Sequence, residues 1–156
     1  MRYLQLLALT LLLGACGSQN TPPAAAPARE TRPQSPADES RRFPLADQVD
    51  TRVVDNHLLD KPFMPGGTIA RYKKGKVEYE MFVARITGGR NASVLLLDWE
   101  TALSGAQFIA SFGGYFGEDA GKPTFVFSKG NWIAGIVGLP KNDADLAARD
   151  LAARIN

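Results

Sequence analysis

An α+β fold, an antiparallel sheet with helices laid against it, is what this chain predicts from three patterns. Apolar and polar residues alternate over Lys76 to Ile86. Turn pairs such as Lys74-Gly75 and Gly130-Asn131 separate runs rich in β-branched and aromatic residues. An apolar stripe at helical spacing closes the chain. The expected order is β-β-β-α-β-β-α, an antiparallel sheet of about five strands with two helices on one face.

Thr68 to Tyr72 and Lys76 to Ile86 read as strands around the turn Lys73-Lys74-Gly75. In the second, Val77, Tyr79, Met81 and Val83 share one face, and Glu78, Glu80, Phe82, Ala84 and Ile86 the other. Both faces become apolar toward Ile86, so that end is expected to be central and covered. After the turn Thr87 to Asn91, the continuous apolar run Ser93 to Leu97 predicts a buried strand. Asp98 then reads as the N-cap of a helix extending to about Phe112. Gly113-Gly114 supplies its left-handed C-cap. Thr124 to Phe127 and Trp132 to Leu139 form a second hairpin, and Pro140 stops the sheet. Asn142 or Asp143 caps a last helix with the stripe Ala144, Ala147, Ala148, Leu151 and Ile155. Arg149 and Arg154 complement its negative end.

The first residues have a different character. Arg2 and the amino group form a positive start, and Leu4 to Leu13 is apolar apart from Gln5 and Thr10. That run is too short to span a bilayer, which takes about 20 residues, and suits the hydrophobic region of a signal peptide. Leu13-Gly14-Ala15-Cys16 resembles the lipobox of bacterial lipoproteins. The resemblance implies cleavage before Cys16, residues 1–15 being signal peptide, and acylation of the Cys16 thiol and the new amino terminus. Gly17 rather than Asp follows, which in that family resembles the outer-membrane pattern. The expected location is therefore the cell envelope, lipid-anchored, in the outer membrane where the organism has one.

Cys16 is the single cysteine, so no intramolecular disulfide is available. Residues 16–46 are rich in proline and alanine, with Phe43 and Leu45 as the only large apolar residues. They read as a disordered tether. Residues 47–156 then form one domain. The chain carries a net charge of +2, but from Asp47 onward basic and acidic residues number thirteen each. A neutral domain predicts no nucleic-acid binding.

A second resemblance covers Ser93 to Ile155. Val94-Leu95-Leu96-Leu97-Asp98-Trp99, a small-residue helix, Gly114-Tyr115-Phe116 and Phe127-Ser128-Lys129-Gly130-Asn131-Trp132 resemble a domain that recurs in bacterial envelope proteins of uncharacterised function. It implies the order of elements and no activity.

Catalytic chemistry finds little support. His57 is the only histidine, in a stretch read as a short helix or turn, and no Gly-x-Ser-x-Gly elbow is present. Zinc ligands at motif spacing are missing, and no metal or cofactor is expected. Glu78 and Glu80 make the best carboxylate pair, but such pairs are common on solvated strands. Gly113 to Gly117 follows a helix in this reading, unlike a phosphate loop. Asp143 and Asp145 are explained by capping. What remains is aromatic. The loop Gly113 to Gly121, with Tyr115, Phe116, Glu118 and Asp119, and the edge at Trp132 are the candidate binding patch. The expected function is a non-catalytic binding or accessory module for an envelope protein or glycan. A small hydrolase using Glu78 and Glu80 and a structural spacer are the alternatives.

Overall fold

The computed structural model describes residues 35–156. The residues read as a signal peptide, Cys16, and most of those read as a tether lie outside the described residues. No described helix is long and apolar enough to cross a membrane.

Seven strands and two helices make up the fold: β1 (Gln48–Asn56), β2 (Pro65–Lys74), β3 (Val77–Arg85), α1 (Ala92–Ala102), β4 (Ser104–Ile109), β5 (Gly114–Asp119), β6 (Lys122–Lys129), β7 (Trp132–Val137) and α2 (Lys141–Arg154). Every strand pair is antiparallel, in the spatial order β1-β2-β3-β7-β6-β5-β4. The chain lays down a three-strand meander and crosses along α1 to the far edge. It returns through four strands, so that β7 closes against β3.

The two hairpins expected around Gly75 and Gly130 are present, with Lys74 opposite Val77 and Lys129 opposite Trp132. The helices, however, occupy opposite faces rather than one. α2 packs through Ala144, Ala148 and Leu151 on Tyr72, Met81, Val83, Phe125, Phe127 and Ile136. α1 packs through Leu95, Leu96 and Trp99 on Ile69, Phe82, Ala84, Val126 and Ile133. The central strands are apolar on both faces, and one helical layer covers only one of them.

The middle of the chain differs most from expectation. Ser93 to Leu97 belongs to α1, not to a strand. Asn91, not Asp98, caps it, its side chain accepting from the Ser93 amide at 2.8 Å. Ala92, Leu95, Leu96, Trp99 and Leu103 form a buried helical stripe. The helix ends at Ala102, and Ser104 to Ile109 is edge strand β4. Gly113, with φ +71°, closes the β4–β5 hairpin instead of capping a helix, its amide donating to the Ile109 carbonyl at 2.8 Å. The stretch read as a loop over Gly113 to Gly121 is mostly strand β5. β1 is an additional strand that ends at Asn56, and His57 stands in the turn after it. α2 starts at Lys141 behind Pro140, with no side-chain cap.

The folded unit also begins before Asp47. Phe43 is 1% exposed, in the core under α2. The Glu39 amide donates to the Thr68 hydroxyl at 3.0 Å, and the Tyr72 hydroxyl donates to the Pro44 carbonyl at 2.8 Å. Arg42 lies 4.5 Å above the Trp132 ring and donates to the Arg154 carbonyl at the end of α2. A stretch assigned to the tether is thus a strap across the sheet. One aromatic anchor with satisfied polar neighbours suffices to hold it.

Two outcomes are expected. A Cβ at Gly135 in β7 would meet the Phe125 carbonyl oxygen and the Phe82 ring at 2.3 and 2.6 Å. Gly135→Ala therefore lowers unfolding free energy by about 3 kcal/mol or more, measured by urea denaturation. Burial raises the pKa of Tyr72 and of Tyr79 above the ordinary phenol value of 10.0. The folded chain then holds protons that the unfolded chain releases. Stability from these phenols is complete below pH ~10 and falls as pH rises further. Absorbance at the tyrosinate band in an alkaline titration should rise late, together with loss of structure.

Candidate functional site

Strand geometry separates the residues that the sequence grouped. Successive side chains on a strand point to opposite faces, so Tyr115 turns toward the α1 side and Phe116 toward the α2 side. The Tyr115 ring lies 5.3 Å from that of Phe108, and the Glu100 carboxylate near its hydroxyl raises its pKa. Glu118 is exposed beyond Phe116 on the same strand. Asp119 pairs with Lys61 at 2.5 Å, and Lys61 also lies 5.6 Å from the Trp99 ring centroid. Trp132 is 4% exposed, inside the α2-side core. The five residues do not form one patch. The loop Gly113 to Gly121 and the Trp132 edge are parts of a sheet, and its pleat sends neighbours apart.

Phe116 does take part in a concave feature. Where α2 overhangs the outer strands, a groove of about 420 Å³ is lined by Ile109, Ser111, Phe116, Phe125, Lys141, Asn142, Asp145 and Leu146. Its floor is the α2-side face of β4, β5 and β6, since Phe116 pairs with Phe125 and Gln107 with Phe116. Its wall is the first half of α2. Lys141 reaches across to Gln107 at 2.9 Å, tying helix to edge strand. Asp145 is engaged by Arg149 at 2.8 Å. The lining combines apolar side chains at Ile109, Phe116, Phe125 and Leu146 with polar ones at Ser111, Lys141, Asn142 and Asp145. The volume lies in the range of small-ligand sites, roughly 300–1,000 Å³. Sequence reasoning missed Ile109 and Leu146 because the first was assigned to a helix and the second lay off the apolar stripe of α2.

The carboxylate pair stands elsewhere. Glu78 and Glu80 share a face of β3, opposite Lys73 and Arg71 on β2. Lys73 donates to Glu78 at 2.7 Å, and Arg52 lies 3.6 Å from Glu80. Arg71 in turn pairs with Asp50 on β1. The Lys73 hydrogen bond holds the Glu78 carboxyl below its ordinary value, the opposite direction from the raised pKa that a general acid needs. These are cross-strand charge pairs of a solvated face, beside a mixed polar notch of about 580 Å³ that also includes Tyr79, Lys122 and Gly138. His57 is exposed. Among the described residues no group of three or more His, Cys, Asp or Glu could hold a metal ion. Every buried side-chain nitrogen and oxygen there has a hydrogen-bond partner.

Alanine scanning should resolve these roles. Trp132→Ala is expected to cost about 3–5 kcal/mol, as a buried aromatic does. Glu118→Ala should change stability by no more than about 0.5 kcal/mol. Urea denaturation of the two variants checks both. Comparison of the chain with protein-family models, with curated proteins and with solved structures finds no match.

Proposed function

We propose that this chain is a lipid-anchored envelope protein whose folded unit is a non-catalytic binding module. The observation that carries the binding reading is the groove between α2 and the β4–β5 margin. It has the volume of a ligand site, an apolar floor at Ile109, Phe116 and Phe125, and a few polar side chains beside it at Ser111, Lys141, Asn142 and Asp145. Such a lining favours an apolar or amphipathic ligand, or an apolar side chain of another envelope protein. It argues against a glycan, which needs a flat aromatic platform flanked by polar groups. Tyr115 and Phe116 cannot make that platform from opposite faces. The spacer alternative has no use for a groove of this size, and the hydrolase alternative finds Glu78 and Glu80 in cross-strand charge pairs on a solvated face.

Support for the anchor comes from residues 1–16: a positive start, a short apolar run and Leu13-Gly14-Ala15-Cys16. Two or more acyl chains at Cys16 would hold the protein to a membrane stably, each buried methylene contributing about 0.8 kcal/mol. The described unit carries no apolar span of its own, so attachment in this reading depends on that residue.

Two measurements test the proposal separately. Mass spectrometry of the mature amino terminus should find an acylated Cys16, and Cys16→Ser should move the protein from the membrane to the soluble fraction. An unmodified terminus at another residue would end the anchor reading. For the groove, an apolar fluorescent probe such as anilinonaphthalene sulfonate should bind the folded chain. Leu146→Asp should weaken that binding at least tenfold, about 1.4 kcal/mol, without changing Tm, because Leu146 is mostly exposed. Unchanged binding would refute the groove.

A further inference from the structure

Two concave compartments lie along the same flank of α2, and Ser111 lines both. The first is the groove already described. The second, of about 380 Å³, lies beside the last half of the helix, between Arg149 and Ala152 on α2 and Ser128 and Lys129 at the end of β6. Their floors join. Phe125 lines the first and Phe127 the second, two residues apart on the α2-side face of β6. The Phe112 ring stands edge-on to both, at centroid distances of 5.3 and 4.7 Å. Contacts at each end mark the path. Lys141 reaches Gln107 at one end, and Lys129 donates to the Ala152 carbonyl at 2.7 Å at the other.

The compartments differ in chemistry. The first is mainly apolar, and its one acid, Asp145, is held by Arg149. The second has Lys129, Arg149 and the hydroxyl residues Ser111 and Ser128 in its lining, and no acidic side chain. Arg149 is balanced by Asp145 and lies 5.3 Å from the Phe112 ring centroid, over the junction. Lys129 is bonded to a neutral carbonyl and has no ion pair among the described residues. One uncompensated positive charge therefore stands beside two hydroxyls at the end of an apolar trough.

We propose that the joined groove takes a single-chain anionic amphiphile, a fatty acid, with its carboxylate at Lys129, Ser111 and Ser128 and its tail along Phe112, Phe116, Phe125 and Leu146. Resting on the binding reading of the groove, this assignment adds a ligand class and an orientation. A carboxylate at Lys129 gains charge-assisted hydrogen bonds. The reverse orientation would set it beside Asp145, a like charge. A small inorganic anion would leave the apolar floor wet, and an uncharged hydrocarbon would leave Lys129 unmatched. The length agrees. From Arg149 back to Lys141 the helix advances about 12 Å at 1.5 Å per residue. With C–C bonds near 1.5 Å, that is room for about ten extended carbons.

Displacement of anilinonaphthalene sulfonate from the full chain carrying Cys16→Ser, which removes any acyl groups of its own, tests the assignment. The competing probes are decanoate, hexanoate and decan-1-ol. Decanoate should bind at least tenfold more tightly than hexanoate, since each methylene laid on the floor contributes about two- to fourfold. It should bind about tenfold more tightly than decan-1-ol, which lacks the charge. Lys129→Gln should weaken decanoate at least threefold and leave decan-1-ol unchanged, and Lys74→Gln, at the distant β2–β3 turn, should alter neither. Both lysines are exposed, and equal Tm values would show that both variants fold. Decanoate no tighter than decan-1-ol or hexanoate, indifference to Lys129→Gln, or a greater loss from Lys141→Gln would overturn the assignment. Sulfonate probe that stays bound, and still responds to Leu146→Asp, would show in those cases that the groove stands and only its ligand class has failed.

Discussion

β3, β7 and β6 offer apolar side chains to both faces of the sheet, and strands of that kind need a cover on each side. Met81, Val83, Phe125 and Ile136 are met by α2. Phe82, Ala84, Val126 and Ile133 are met by α1. Most of the architecture follows from this. The crossover after β3 becomes the first cover and delivers the chain to the far edge. The return meander brings β7 back against β3, where its six residues are all buried. Removing either helix would expose a full row of apolar side chains, each contributing about 1.5–3 kcal/mol by its burial.

Each cover is fastened by an aromatic residue with a polar contact. Trp99 is fully buried under α1, stacked on Phe82 at 5.9 Å and donating its indole N–H to the Met64 sulfur at 3.2 Å. Phe63 meets it edge-on at 5.6 Å. On the other side Tyr72 stacks on Tyr79 at 4.8 Å and reaches the Pro44 carbonyl, while Phe43 fills the core beside α2. Aromatic rings bury large areas with few rotors to order, which suits them to tying a short strap or a single helix to a sheet. With no cysteine among the described residues, these contacts do the work that disulfides perform in many small secreted domains.

Function, in the reading proposed, lies where this covering is incomplete. α2 is long enough to lie over the central strands but leaves the margin at β4 and β5 partly bare. That margin holds the groove and the exposed Phe108. The opposite margin is finished differently: β1 is charged, and its partner strands carry the cross-strand pairs of Arg71 with Asp50 and Lys73 with Glu78. If the chain is anchored at Cys16 as proposed, it would meet any partner within a thin layer above a membrane.

The hairpins around Gly75 and Gly130, the last helix and the two-faced apolar character near Ile86 were legible in the residues, because turn chemistry and short-range periodicity decide them locally. The resemblance at Cys16 rests on order along the chain and not on folding, and it lies outside the described residues. Val94 to Leu97 was not legible as helix. A run of four apolar residues fits either period, and only the packing of Leu95, Leu96 and Trp99 against Phe82 and Val126 selects the helical one. That one ambiguity carried with it the misassignment of β4, of the turn at Gly113 and of Ile109 in the groove. Tyr115 and Phe116 are neighbours in sequence, yet the pleat of β5 sends them to opposite faces. The placement of the helices on two faces, the strap at Phe43 and the groove beside β4 come from contacts between residues far apart in the chain, and such contacts exist only once the sheet has formed.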